Sequence, residues 1–150
     1  HHDYLIEVGG ELRGQGRKPD GTPWQVAIQR PLDTDRADGE VDAQHVLGLT
    51  DAALGSSGDY RHFFEDGGRR YAHRIDPRTG YPLDNKVASV TVMSANCQDA
   101  DPLATALSVL GVEQGLAFAE KRGIAVLYIL RTANGFEERM SPGFAALLGE

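Results

Sequence analysis

Val87-Ala88-Ser89-Val90-Thr91-Val92-Met93 is the stretch whose reading decides the fold. Ala88, Val90 and Val92 share one face while Ser89 and Thr91 share the other, as the two-residue period of a strand requires. A helix is expected next, because Leu103, Ala106, Leu107 and Leu110 recur at i, i+3, i+4 and i+7. Pro102 suits a first helical turn, where its missing N–H is no loss, which predicts Asp101 at or near the N-cap. Val112 to Arg122 reads as a second helix, with Lys121 and Arg122 in its last turn and Gly123 as its stop. Ile124 to Leu130 is then a fully buried strand. It is also the longest apolar run, and it is far too short to cross a bilayer as a helix.

Upstream, the chain reads as β-structure. Tyr4 to Val8 is a short strand closed by Gly9-Gly10, and Glu11 to Gly16 is its candidate partner. Lys18-Pro19-Asp20-Gly21 has turn chemistry. Trp24 to Ile28 alternates apolar and polar residues as a half-buried strand does. Pro31 to Glu40, polar and rich in Asp, is expected to be an exposed loop, and His45 to Leu49 resumes as a strand. Ala52 to Gly58 is a small-residue segment. Tyr60 to Glu65 and Arg69 to Ile75 flank Asp66-Gly67-Gly68 as a hairpin, and Asp76 to Pro82 is a loop stiffened by two prolines. The tail from Ser141 offers Phe144 and Leu147 for packing. Many antiparallel strands with two clear helices predict an α+β fold, an antiparallel sheet with helices on one side.

The bulk numbers agree with one ordinary domain: 150 residues, 41% hydrophobic and 25% charged. Fifteen basic residues against twenty-two acidic leave a formal charge of −7, which argues against general nucleic-acid binding. The same balance means that an anionic ligand needs local help, from a metal ion or from aimed backbone amides. Cys97 is the only cysteine, so there is no internal disulfide and no Cys-rich metal site. His1-His2-Asp3 runs straight into an apolar strand, which reads either as a tag remnant or as the interior of a longer protein.

Three places can carry chemistry. Asp101 and Thr105 stand at i and i+4, on one helix face opposite the leucine stripe. A carboxylate and a hydroxyl are hard oxygen donors of the kind Mg²⁺ accepts, although an Asp before Pro at a helix start is also an ordinary cap. His73, just before the stiff loop, is a candidate acid/base or phosphate donor; a half-covered strand histidine is the plain alternative, and His62 is equally a candidate for exposure. Ser56-Ser57-Gly58-Asp59-Tyr60 reads either as a turn or as a place where a ligand approaches the backbone closely, and Gly9-Gly10 has the same two readings. Neither is a Walker A sequence or a dinucleotide fingerprint. Cys97 reads as a buried or bystander thiol.

Taken in order, Ser57-Gly58-Asp59-Tyr60, His73-Arg74-Ile75-Asp76-Pro77-Arg78-Thr79-Gly80-Tyr81-Pro82, Ser89-Val90-Thr91-Val92 and Ala100-Asp101-Pro102-Leu103-Ala104-Thr105-Ala106-Leu107 resemble the C-terminal motifs of the ApbE family. Glu7-Val8-Gly9-Gly10-Glu11 is similar to that family's Gly-Gly strand end, so the resemblance runs from Tyr4 to about Leu130. It implies an ApbE-like, T-fold-related half: the C-terminal portion of a single flavin transferase domain whose N-terminal half is absent from this chain. That missing half would supply a further metal ligand and most of the flavin pocket.

The implied activity is Mg²⁺-dependent transfer of FMN from FAD to a threonine of a target protein, with release of AMP. FAD is then the substrate, and the partner is a flavin-acceptor subunit of a respiratory redox complex. The resemblance also implies an exported lipoprotein, periplasmic at the outer face of the inner membrane, reaching that membrane only through an N-terminal lipid anchor that this chain lacks; the family's older label is thiamine biosynthesis. The family's metal-binding residues fall on Asp101 and Thr105, its catalytic histidine on His73, and its flavin-nucleotide contacts on His73, Arg74, Ser57 and Gly58. Arg74 stands where isoleucine is common, so a contact from residue 74 is expected through its backbone, and Pro102 replaces the usual alanine. Two rivals remain: an FAD pyrophosphatase making FMN and AMP, and a non-catalytic flavin-binding fragment.

Overall fold

The computed structural model describes residues 2–31, 42–59, 63–67 and 69–149. In chain order its strands are β1 (Tyr4–Val8), β2 (Glu11–Gln15), β3 (Trp24–Gln29), β4 (Ala43–Leu49), β5 (Ala52–Gly58), β6 (Phe63–Asp66), β7 (Arg69–Ala72), β8 (Val87–Ser94), β9 (Ala125–Thr132) and β10 (Gly135–Met140). The helices are α1 (Cys97–Leu110), α2 (Val112–Arg122) and α3 (Pro142–Leu148). Most of the loop expected from Pro31 to Glu40, and Tyr60, Arg61, His62 and Gly68 of the expected hairpin, lie outside the described residues.

Six strands form one antiparallel sheet in the order β1-β2-β5-β8-β9-β10, while β3–β4 and β6–β7 are separate two-stranded ribbons. The strand period sorts β9 onto two cores. Val126, Tyr128 and Leu130 point to one face, where they pack with Val87, Val90 and Val92 of β8 against Ala104 and Leu107 of α1 and Ala119 of α2. Leu127 and Ile129 point to the other, where they meet Leu54, the β3–β4 ribbon through Val26, Ile28, Leu47 and Leu49, and Phe144. The expected α+β sheet with its two long helices on one side is therefore present. Phe144 belongs to the short α3, which the tail forms on the opposite face behind Ser141, whose side chain accepts a hydrogen bond from the Phe144 N–H.

Two glycines set how closely the helices approach the sheet. Tyr128 donates to the Leu107 carbonyl at 2.9 Å, and α2 reaches it only because residue 115 is glycine: a Cβ there would stand 1.8 Å from the phenol oxygen. Gly55 of β5 is as tight, since its Cβ would fall 2.6 Å from the Ala100 carbonyl carbon and 2.7 Å from the Asp101 nitrogen. Helix α1 thus lies with its backbone directly on β5.

The start of α1 differs from the expectation. The helix begins at Cys97, with Asn96 as N-cap and its side chain accepting from Asp99 N at 2.9 Å. Asp101 is consequently not a cap, and Pro102 lies inside the helix rather than in its first turn. The buried positions are Ala100, Ala104, Leu107 and Ser108, with Ala106 exposed. At the far end α2 stops as expected, on Gly123 in the left-handed region at φ 64°, which glycine adopts without a Cβ penalty.

Candidate functional site

The site follows from unequal strand lengths. The β2–β5 ladder covers only Leu12↔Leu54, Arg13↔Ala53 and Gly14↔Ala52, whereas β5 stays paired with β8 as far as Gly58↔Ser89. Gly55 to Gly58 therefore run on beyond the end of β2, and a notch opens beside the Gly9-Gly10 turn of the β1–β2 hairpin. Both turn glycines have positive φ, 67° and 105°, and the Glu7 carboxylate holds the turn by accepting from Gly10 N at 2.8 Å. A cavity of about 410 Å³ fills this notch.

Its walls bring together residues far apart in sequence. β5 contributes Ser56, Ser57 and Gly58; β8 contributes Ser89 and Thr91; α1 contributes Asp101 and Thr105; His73 follows the end of β7. The β3–β4 ribbon closes one side through Ala27, Ile28 and Gln29. Five of the predicted site residues, Ser57, Gly58, His73, Asp101 and Thr105, therefore line one cavity.

Asp101 and Thr105 are both exposed, one helical turn apart, and their side chains make no hydrogen bond or ion pair among the described residues. With Asn96 serving as cap, the helix leaves the Asp101 carboxylate unused. Ser89 Oγ, in the opposite wall, is buried without a partner, while Ser56 and Thr91 share a hydroxyl–hydroxyl bond of 3.0 Å. An orphaned buried hydroxyl is costly unless something else bonds to it. Among the described residues the lining holds hydroxyls, glycine backbone, an imidazole and a carboxylate, and no Lys or Arg.

His73 is exposed and precedes a loop that is stiff for visible reasons. Ile75 and Pro82 form an isolated antiparallel bridge, and Asp76 N donates to the Tyr81 carbonyl at 2.8 Å. Inside it the Asp76 carboxylate takes a two-pronged bond from Arg78, at 2.9 Å from Nε and 2.8 Å from Nη2, and another from Arg78 N. Those bonds hold the Asp76 carboxyl below its usual range and raise the Arg78 guanidinium.

Arg74 is the predicted site residue that is not in the lining. Its carbonyl is taken by Leu83 N at 2.9 Å, and its side chain, only 7% exposed, runs behind the wall to donate from Nη1 to Ser57 Oγ at 2.9 Å. Burial lowers the pKa of this guanidinium, and the nearby Asp59 carboxylate opposes the shift. Sequence reasoning missed this side-chain route, the walls formed by Ser89 and Thr91, and the ribbon residues Ala27 to Gln29. Of these only the Ser89/Thr91 pair had left a signal, as two polar residues on one face of a buried strand.

Sheet, ribbon and oxygen-lined notch define an α+β chain whose candidate site has, among the described residues, no lining Lys or Arg. Its sequence places it more closely: the ApbE family model matches residues 1–128, and the chain belongs to the ApbE family. It is 46% identical over 145 residues to the FAD:protein FMN transferase of Haemophilus influenzae, covering 97% of this chain and 41% of that protein. The Vibrio cholerae FAD:protein FMN transferase is 45% identical over 148 residues, covering 99% of this chain and 43% of its own length. Among solved structures, the apo flavinyl transferase ApbE of Pseudomonas stutzeri superposes with a TM-score of 0.83 at 43% identity, covering 99% of this chain and 44% of that one. The chain thus spans about two fifths of the length of the curated relatives it matches.

Proposed function

We infer that this chain is part of an FAD:protein FMN transferase and that the notch beside Gly55–Gly58 receives the diphosphate of FAD. The observation that carries this reading is the Asp101/Thr105 oxygen pair, unpartnered among the described residues and lining one cavity with His73, in a chain 46% identical to a relative with that name.

The donor chemistry suits magnesium. One carboxylate and one hydroxyl make a hard-oxygen pair, and Mg²⁺ takes one or two such protein ligands while keeping waters and substrate phosphates for the rest. Among the described residues no cluster of three His, Cys, Asp or Glu exists, so the site does not suit a metal that needs a full protein cage. A diphosphate in a cavity that has a carboxylate and, among the described residues, no lining Lys or Arg also calls for a cation. When bound, Mg²⁺ supplies charge that offsets the phosphates.

The remaining work falls to the chain itself. The Gly9-Gly10 turn and Gly58 let the nucleotide approach the backbone, and the Ser57 hydroxyl is a donor for a phosphate oxygen. In the transfer, a threonine oxygen of the acceptor bonds to the phosphorus on the FMN side, the anhydride bond breaks, and AMP leaves. His73, the imidazole of the lining, takes the threonine proton. Such a reaction depends mainly on positioning and charge compensation. The acceptor in this reading is a redox-complex subunit at the outer face of the inner membrane.

The test uses the full-length protein with FAD, Mg²⁺ and a threonine-bearing acceptor. Equimolar AMP and covalently flavinylated acceptor are expected, with the acceptor's Thr→Ala form left unlabelled. AMP with free FMN regardless of acceptor would replace the reading by FAD hydrolysis, and tightly held uncleaved FAD would replace it by flavin binding alone.

A further inference from the structure

We propose that Arg74 is a positioning residue for the nucleotide: by donating to Ser57 from behind the wall, it commits the Ser57 hydroxyl proton to a phosphate oxygen in the cavity. The proposal rests on the transferase reading above, and it names a residue whose side chain does not line the cavity.

A serine hydroxyl has one proton and two acceptor positions. Arg74 Nη1 donates to Ser57 Oγ at 2.9 Å, and a guanidinium has no acceptor site, so the Ser57 proton cannot point back at Arg74. No other acceptor takes that proton among the described residues. Ser57 lines the cavity, and the proton is therefore left for whatever occupies it. Because its oxygen already accepts from a cation, Ser57 is a stronger donor than an isolated hydroxyl.

The guanidinium is placed for this task. Arg74 is 7% exposed and its Nε is buried without a partner, so solvent does not screen it as it would a surface arginine. Asp59, two residues beyond Ser57, supports the charge electrostatically and is itself held by Arg131 at 2.9 Å. Among the described residues the cavity wall has no lining Lys or Arg, and Arg74 puts a positive charge 2.9 Å behind the Ser57 hydroxyl. This geometry favours a phosphate oxygen over an uncharged carbonyl as the acceptor.

The test measures equilibrium binding of FAD and of riboflavin, which has no phosphate, to the full-length protein without acceptor. Arg74→Met and Ser57→Ala are each expected to weaken FAD about tenfold, in keeping with a charge-assisted hydrogen bond. Riboflavin affinity should not move, the double variant should be no weaker than either single one, and Arg74→Lys should restore part of the loss. Equal weakening of FAD and riboflavin, or additive effects of the two substitutions, would reduce Arg74 to a structural role and overturn the proposal. Ser57→Ala keeps the test decisive if Arg74→Met does not fold. A wild-type protein without affinity for FAD would instead sink the transferase reading, and this inference with it.

Discussion

The two halves of β5 make the sharpest contrast in the molecule. Ala53 and Leu54 pair on both sides, with β2 and β8, and both are buried. Gly55 to Gly58 keep only the β8 partner and carry small residues throughout. In the first half, side chains fill space; in the second their absence lets α1 lie on the backbone and leaves the notch open. One strand therefore serves as core at one end and as site wall at the other, and what separates the two is where β2 stops. The contrast implies that core and wall can be damaged separately, except at Gly55, where they touch.

The largest effect on stability should come from the closed side. Leu127→Ala empties a fully buried position beneath the β3–β4 ribbon and should cost about 2–5 kcal/mol in a denaturant titration. A loss below about 1 kcal/mol would mean that the ribbon does not pack as described. Gly55→Ala tests the junction. Its Cβ would meet the Ala100 and Asp101 backbone at 2.6 and 2.7 Å, so α1 must lift. We expect about 1–3 kcal/mol of destabilisation together with weaker Mg²⁺ binding in the full-length protein, and unchanged metal affinity would separate Asp101 from the β5 contact.

The smallest effect concerns Tyr128, far from the notch. Burial raises its phenol well above the ordinary value, so the folded state keeps a proton that the unfolded chain releases above about pH 10. Stability from this group is complete below that pH and declines as pH rises toward the folded pKa. Urea midpoints measured from pH 9 to 11 should fall more steeply for the wild type than for Tyr128→Phe, by less than the one-proton limit of about 1.4 kcal/mol per pH unit. Parallel curves would show that the phenol is not shielded.

Much of this arrangement was legible beforehand, and the exceptions have physical causes. The β8 and β9 strands and the Gly123 stop of α2 could be read because periodicity and a left-handed glycine are local properties. Ala52–Gly58 did not announce itself as a central strand, since its small residues have low strand propensity and are there for the close approach of α1. Pro102 drew the start of α1 too far along the chain, whereas the Asn96 side chain and the Asp99 N–H mark the true cap. β10 (Gly-Phe-Glu-Glu-Arg-Met) lies at the sheet edge with little apolar alternation, so the two-residue period that marks β8 is missing there.

For the site, the Asp101/Thr105 spacing could be read from helical geometry alone, and the motif resemblance pointed to His73, Ser57 and Gly58. For Arg74 the resemblance gave a backbone contact; its side-chain route to Ser57 could not be read, because that direction depends on how β5 and the 74–83 segment come together.

The central claim is that Asp101 and Thr105 hold a magnesium ion against the nucleotide. The most direct measurement is the rate of AMP release from FAD by full-length protein carrying Asp101→Ala with Thr105→Val, at saturating Mg²⁺ and with acceptor present. Both side chains are exposed and partnerless among the described residues, so the double variant should fold normally while its rate falls by about a hundredfold or more. A folded double variant that released AMP at the wild-type rate would contradict the account.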